Sequence, residues 1–491
     1  MTAPAACVIG VMLALPGAGA SLQAQRPTTP NNGSTVEWHV CAATAPAAAR
    51  CGTLRVPENR AAPDGRRVTL ALYVVRAHGS ARAEDPVLVL LGGPGDAATH
   101  RLAALVSAHA AINRERDLVL VDQRGVGRSS PLPCTHGSDD DLQSYMDFLD
   151  ASAVRACIAS IGGTADPARY RTRDFILDLE DLRRALGIRQ WNLHANSYGT
   201  RVAQQYLARH PASIRAAVLM AAVPKELAMP EPFGADADRA LDMLLAACAA
   251  DGACRAAFPA LRNEIDSVSR RLARAPAVVS VAHPVSGAPT NIRFGRAAFG
   301  EAVRAALYTP AGASTIPLAI HEASRGNYAA IAGAHLRRQR TIAREGWTGL
   351  YLAATCPEDV ARLQQSAVLA ANRSSILGEY RARQHFAACA LWPAGLAGDD
   401  WPATPRIDTP VLLIVGDADP VTPPRWSRLA QAHMTRSRLL EVAGGGHGFA
   451  GMIGVECLAG VQAGFFASAN PAAADAGCVA AMKRPPFVTT R

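Results

Sequence analysis

The sequence predicts an α/β protein: a mostly parallel sheet with helices on both faces and a helical cap insertion. Three observations predict it. Short continuous apolar runs such as Val87-Leu88-Val89-Leu90 and Leu118-Val119-Leu120-Val121 read as strands buried on both faces. Helical patterns separate such runs from about residue 67 to 223, the alternation that builds a parallel sheet. From 224 to 346 the buried runs stop, and Ala- and Arg-rich helical segments take over.

The chain has 491 residues, which as a prior allows about three domains. Hydrophobic residues make up 49% and charged residues 19%, which excludes a disordered protein. The formal net charge is +9, carried almost entirely by Arg. No Arg-rich block with interleaved aromatics occurs, so the charge reads as a solvated surface, and no nucleic-acid partner is expected.

Residues 1–24 read as a secretory signal peptide. Cys7 to Pro16 is a short apolar core, and Ala18-Gly19-Ala20 resembles a cleavage site. The run is too short to span a bilayer, so no stable membrane insertion is expected. Residues 25–35 form a Pro/Thr/Asn-rich linker. Without Cys7, the eleven cysteines leave an even number, which favours disulfides in an oxidising compartment. Along the chain they fall into local couples: Cys41 with Cys51, Cys134 with Cys157, Cys248 with Cys254, Cys356 with Cys389, and Cys457 with Cys478. Sequence alone does not fix that connectivity. No Cys/His spacing suggests a metal site, and no cofactor is expected.

The core's first part is assigned to 36–223. Val68–Val75 alternates as a half-exposed strand. Pro86–Leu91 runs into Gly92-Gly93-Pro94-Gly95, where backbone N–H groups can turn toward a ligand. A helix around 100–113 and the strand Leu118–Val121 complete a βαβ unit. Asp174 is the expected cap of a helix whose Phe175, Leu179, Leu182 and Leu186 share one face, ended by Gly187. The strand Trp191–Asn196 and the strand Ile214–Met220 flank a helix that ends near Arg209. In the insertion, Ala237–Ala250 and Ala257–Ala273 read as helices, broken by prolines such as Pro284 and Pro289. The core's second part is assigned to 347–491. It is expected to resume with a strand at Gly349–Thr355 and to continue with strands at Pro410–Val415 and Arg438–Val442, then a last helix.

The chemistry centres on Ala195-Asn196-Ser197-Tyr198-Gly199, a serine at a strand–turn–helix corner. Such an elbow exposes the serine oxygen, and it requires small residues two before and two after it. Ala195 departs from the usual glycine but keeps the side chain to one methyl. A serine there needs a base, and the base needs an orienting acid. Asp419, in the loop after the Val411–Val415 strand, and His447, in Gly446-His447-Gly448 after the Leu439–Val442 strand, are the candidates. Carboxyl ends of parallel strands share one rim, so the three can meet. Asp417 competes with Asp419 but can instead cap the turn. The order Ser, acid, His is that of the α/β-hydrolase fold.

Gly92-Gly93-Pro94-Gly95, Asp122-Gln123-Arg124-Gly125, Ser197-Tyr198-Gly199, Asp419-Pro420-Val421-Thr422-Pro423 and Gly446-His447-Gly448 together resemble the prolyl iminopeptidase family of α/β-hydrolases. The Cys41…Cys51-Gly52-Thr53-Leu54 start, Trp401-Pro402, and the Cys457 and Cys478 couple resemble its secreted tripeptidyl-aminopeptidase branch. The resemblance covers roughly 36–480 outside the insertion. It implies Ser197 as nucleophile, His447 as base, Asp419 as orienting acid, and an oxyanion hole from the N–H groups of Gly93 and Tyr198. It implies bracing roles for Asp122 and Arg124. It also implies carboxylates that meet a free substrate amine, for which Glu358 and Asp359 are the nearest candidates. The expected protein is a secreted or periplasmic serine hydrolase, an aminopeptidase acting on short peptides, with a carboxylesterase as the alternative.

Overall fold

A computed structural model of the chain describes residues 35–490, apart from residues 44, 47 and 394–405. The expected signal peptide, nearly all of the linker, and Trp401-Pro402 lie outside the described residues. Seven strands come first: β1 (Glu37–His39), β2 (Ala49–Pro57), β3 (Arg67–Val75), β4 (Val87–Leu90), β5 (Leu118–Val121), β6 (Trp191–Asn196) and β7 (Ile214–Met220). A hairpin follows, β8 (Ala277–Ala282) with β9 (Pro289–Phe294), and then β10 (Val411–Gly416) and β11 (Ser437–Val442). All but the hairpin form one nine-stranded sheet in the order β1-β2-β3-β5-β4-β6-β7-β10-β11. Pairing is antiparallel from β1 to β5 and parallel from β5 to β11. The exchange of β4 and β5 reverses the winding next to β6, and a crevice opens at the carboxyl ends of the strands where the winding reverses.

The central strands β4, β5 and β10 are buried at every position, which is why they read as unbroken apolar runs. β3 is more buried than its alternation suggests, because it lies inside the sheet between β2 and β5. The helix expected at Asp174 spans Thr172–Ala185. Arg171 is its cap residue, and the Asp174 carboxylate sits at the third helical position, where it accepts the Arg171 N–H at 3.4 Å. Phe175, Leu179 and Leu182 are buried as expected.

Two expectations are corrected, one about the second part of the core and one about the insertion. The stretch Gly349–Thr355 is not a strand. It lies in the helix Trp347–Glu358, buried on every side from Thr348 to Glu358. A seven-residue apolar run without a solvent face carries no period, so helix and strand look alike. The sheet is therefore left at Met220 and rejoined at Val411, not at residue 349. Second, the insertion is not wholly helical. The β8–β9 hairpin buries Val279, Val281, Ile292 and Phe294 and exposes the residues between Val279 and Val281 and between Ile292 and Phe294, a period-two pattern hidden among alanines and prolines. These side chains join a second hydrophobic core with Phe233, Leu241, Phe299 and Ile320.

The five cysteine couples are the five disulfides: Cys41–Cys51, Cys134–Cys157, Cys248–Cys254, Cys356–Cys389 and Cys457–Cys478. Each closes a short loop, of 6 to 33 residues, so each constrains local structure more than topology.

Asp122 and Arg124 brace the turn after β5. Asp122 accepts the N–H groups of Thr99 at 2.9 Å and Arg128 at 2.8 Å. The fully buried Arg124 binds both oxygens of Asp178, at 2.7 and 2.5 Å, and the carbonyls of Glu58 and Arg169 at 2.9 and 2.8 Å. It thus ties β2, the β5 turn and the helix Thr172–Ala185 together. Asp178 would keep Arg60 as a partner, but loss of Arg124 removes two bonds from that buried carboxylate and the donors of the Pro57, Glu58 and Arg169 carbonyls. Arg124→Ala is expected to cost about 3 kcal/mol or more in urea denaturation.

Candidate active site

The site begins where β6 ends. Ser197 has φ 53° and ψ −126°, a conformation that non-glycine residues rarely adopt, and the helix Tyr198–Arg209 starts at the next residue. The turn is over-determined. The Ser197 N–H donates to the Met220 carbonyl at 2.9 Å. Its carbonyl accepts the Thr200 hydroxyl at 2.6 Å and the Thr200 N–H at 2.8 Å. The Thr200 hydroxyl oxygen in turn accepts the Val223 N–H at 2.8 Å. The small-residue requirement is steric at Gly199: a Cβ there would lie 2.4 Å from the Leu90 carbonyl oxygen and 2.6 Å from that of Leu91. At Ala195 the single methyl is buried in register with Leu90, so the departure from glycine is accommodated.

The structure brings Ser197, His447 and Asp419 together. His447 Nε2 is 2.9 Å from Ser197 Oγ, and His447 Nδ1 is 2.9 Å from Asp419 Oδ2. With Nδ1–H donated to the carboxylate, Nε2 is left to accept a hydrogen bond from the Ser197 hydroxyl. Asp419 also accepts the N–H groups of Val421 at 2.7 Å and Thr422 at 2.9 Å, and the Thr422 hydroxyl at 2.8 Å. Burial pushes the Asp419 carboxyl upward, but the adjacent imidazole and these donors outweigh it and hold the group below its ordinary value. Asp417 does the other job: its carboxylate accepts the Gly444 N–H at 2.7 Å and caps the turn.

The insertion helps hold this arrangement, by contacts that the sequence reading missed. The Gly448 N–H donates to the Tyr308 carbonyl at 2.8 Å, and the Tyr308 ring meets the His447 imidazole edge-on at 5.1 Å. Gly446 permits that approach, because a Cβ there would lie 2.6 Å from the Tyr308 carbonyl oxygen. Arg239, from the helix Phe233–Ala250, donates to the carbonyls of Asp417 at 2.6 Å and Asp419 at 3.2 Å. No motif announces either residue, since each acts through the backbone of the loop it touches.

Gly93 lines one cavity with Ser197 and His447, about 400 Å³ in volume. Tyr198 is the first residue of its helix, so its N–H has no acceptor within that helix. Two backbone donors thus belong to the loops beside Ser197 Oγ. The region between β7 and β10 contributes Phe233, Arg304, Tyr308, Arg338, Glu345 and Trp347 to the cavity wall.

Glu358 and Asp359 are not in that wall. Both are buried behind the elbow helix. Asp359 pairs with Arg201 at 2.9 Å. Glu358 accepts the Thr172 N–H and hydroxyl, both at 2.8 Å. They lock the elbow helix to its neighbours, so the expected amine contact does not follow from their positions. Burial pushes the Glu358 carboxyl up to about 7, partly opposed by Arg201. A carboxyl whose folded value lies above its unfolded value of about 4.3 stabilises the fold below that value and loses the contribution as pH rises through the folded one. The Glu358 contribution to stability is therefore expected to decline between about pH 4.3 and pH 7, against the opposite contribution of buried histidines such as His194 and His335. Glu358→Gln is expected to remove that decline in denaturation series over the same window.

Residues 85–256 match the family described as alpha/beta hydrolase fold, and residues 374–478 match the family described as TAP-like protein. The chain is similar to the serine protease Hip1 of Mycobacterium tuberculosis, 29% identical over 218 residues, which is 40% of this chain and 41% of that protein. It is similar to the tripeptidyl aminopeptidase of Streptomyces coelicolor, 27% identical over 205 residues, 38% of this chain and 37% of that one. It is also 39% identical over 100 residues to carboxylesterase B of Mycobacterium tuberculosis, 20% of this chain and 18% of that one. The chain thus spans about two fifths of the length of the first two relatives.

Proposed function

From the premise that the chain is an α/β-hydrolase with a TAP-like C-terminal region, we propose that it is an exported serine hydrolase, an aminopeptidase that releases single residues or short peptides from free N-termini. The observation that carries this reading is the continuous hydrogen-bonded chain from Ser197 through His447 to Asp419. His447 takes the Ser197 proton as the oxygen attacks the substrate carbonyl. The Tyr198 and Gly93 N–H groups hold the resulting oxyanion, each contributing about 3–4 kcal/mol. The protonated His447 gives its proton to the leaving amine. Water, deprotonated by the same imidazole, then hydrolyses the acyl-enzyme.

Export is supported by five disulfides. Among the described residues no helix is long and apolar enough to cross a membrane. For the substrate amine, Asp96 and Glu345 replace Glu358 and Asp359 as candidates. Both line the cavity, and both pair with the same Arg101, at 3.1 and 3.8 Å, so with a neutral His100, 3.9 Å from Glu345, one carboxylate is in excess. A carboxylesterase is the second reading, favoured by the similarity to carboxylesterase B over residues that form a fifth of the chain.

A fluorophosphonate probe is expected to label the wild type and not Ser197→Ala. Absence of labelling in both would reject the serine-hydrolase reading. Asp419→Asn is expected to lower kcat/KM by about 10,000-fold while the fold persists, measured on the best substrate found. Tripeptidyl arylamides with free N-termini are expected to turn over and their N-acetylated forms to fail; equal cleavage, or cleavage of esters alone, favours the carboxylesterase.

A further inference from the structure

Opposite in charge to the Asp96–Glu345 pair, the cavity wall carries a group of arginines. Arg304 and Arg381 are 3% and 8% exposed. Together with the exposed Arg338 they line the same cavity as Ser197 and His447. Aromatic faces hold them: the Arg304 guanidinium lies 4.3 Å from the Phe233 ring centre, Arg381 lies 3.4 Å from Phe148, and Arg338 lies 4.7 Å from Tyr308. Tyr308 is also the ring against His447, so the cationic group stands one side chain away from the base.

Among the described residues, counter-charge is short. The carboxylate paired with Arg304 and Arg381 is the part-buried Glu301, at 3.8 Å and 3.4 Å. Asp419, the other nearby acid, is committed to His447. Among the described residues, the Nε atoms of both Arg304 and Arg381 are buried with no hydrogen-bond partner. Buried guanidinium donors without acceptors are costly, and two cations sharing one distant carboxylate leave a positive excess. The fork of N–H donors on each arginine matches a carboxylate.

We propose that Arg304 and Arg381, with Arg338, form a recognition site for a substrate carboxylate. This rests on the serine-hydrolase reading for what happens to the bound group, but not for the binding itself. The carboxylate has two possible sources. It can be an acidic side chain on the residue whose carbonyl is attacked, or the terminal carboxylate of a short leaving peptide. In either case the ligand places an anion beside guanidiniums that share a single carboxylate, and a neutral analogue does not.

Calorimetric titration of the full chain with blocked amino acids tests this without requiring turnover. The probes are N-acetylglutamate α-amide, with a side-chain carboxylate alone; N-acetylglutamine, with an α-carboxylate alone; and N-acetylglutamine amide, with neither. One of the two anionic probes is expected to bind roughly 10-fold or more tightly than the neutral one, and which one identifies the source. Arg304→Gln and Arg338→Gln are expected to reduce that ratio, and Arg304→Lys to keep part of it. The exposed Arg338 provides the test if replacement of the buried Arg304 disturbs folding. Equal binding of all three probes by the wild type, or a ratio unchanged in folded Arg304→Gln and Arg338→Gln, would overturn the proposal. Fluorophosphonate labelling of the same preparations separates the two failures: labelling without anion preference rejects this site alone, and anion preference without labelling rejects the hydrolase reading alone.

Discussion

The site depends on one strained residue. Holding Ser197 at φ 53° costs about 1–3 kcal/mol and persists only where the surroundings allow no alternative. Here the surroundings are specific. The residue's N–H is bound to the end of β7, and its carbonyl is bound twice by Thr200. The turn of the elbow helix that follows lies against the Leu90 and Leu91 carbonyls at a distance only glycine tolerates. The elbow is therefore held by its own Thr200 and by the neighbouring strands on both sides, β4 and β7. That explains why a single methyl at Ala195 is acceptable while Gly199 has no freedom.

Burial alone does not decide what a carboxylate does here. Asp419, Glu358 and Asp417 all feel burial pushing them toward the neutral form. Asp419 is held below its ordinary value because an imidazole and three donors converge on it. Glu358 has two donors from one threonine and a guanidinium 3.8 Å away, and stays above its ordinary value. Asp417, likewise raised, has only turn N–H groups and a more distant arginine. Convergent partners, which Asp419 has and the other two lack, are what favour the ionised form of a buried carboxyl.

This also marks what the sequence could and could not say. Buried strands, the serine turn, and the acid and histidine loops are local signals, since each needs particular residues at adjacent positions. The cysteine couples were legible because each closes a short loop. Glu358 and Asp359 misled because a Glu-Asp pair reads the same whether it faces a cavity or an internal arginine; only the position of Arg201, more than 150 residues away, distinguishes the two. The helix Trp347–Glu358 misled because complete burial erased its period. Tyr308, Arg239 and the cavity arginines left no trace, because their roles depend on which distant loop the insertion rests on.

The insertion therefore cannot be regarded as a cover added to a finished site. Tyr308 lends its carbonyl to the histidine loop and its ring to the imidazole, while Arg239 holds the acid loop by two carbonyls. Arg304 lies in the helix that immediately precedes Tyr308, and its guanidinium is 5.5 Å from that ring. Residues that line the cavity and residues that position His447 are thus neighbours on one segment. A single aromatic ring, Tyr308, lies against both the Arg304 guanidinium and the imidazole. Close packing leaves little room for either to shift alone, so one segment holds both the cavity arginines and the loop that carries His447.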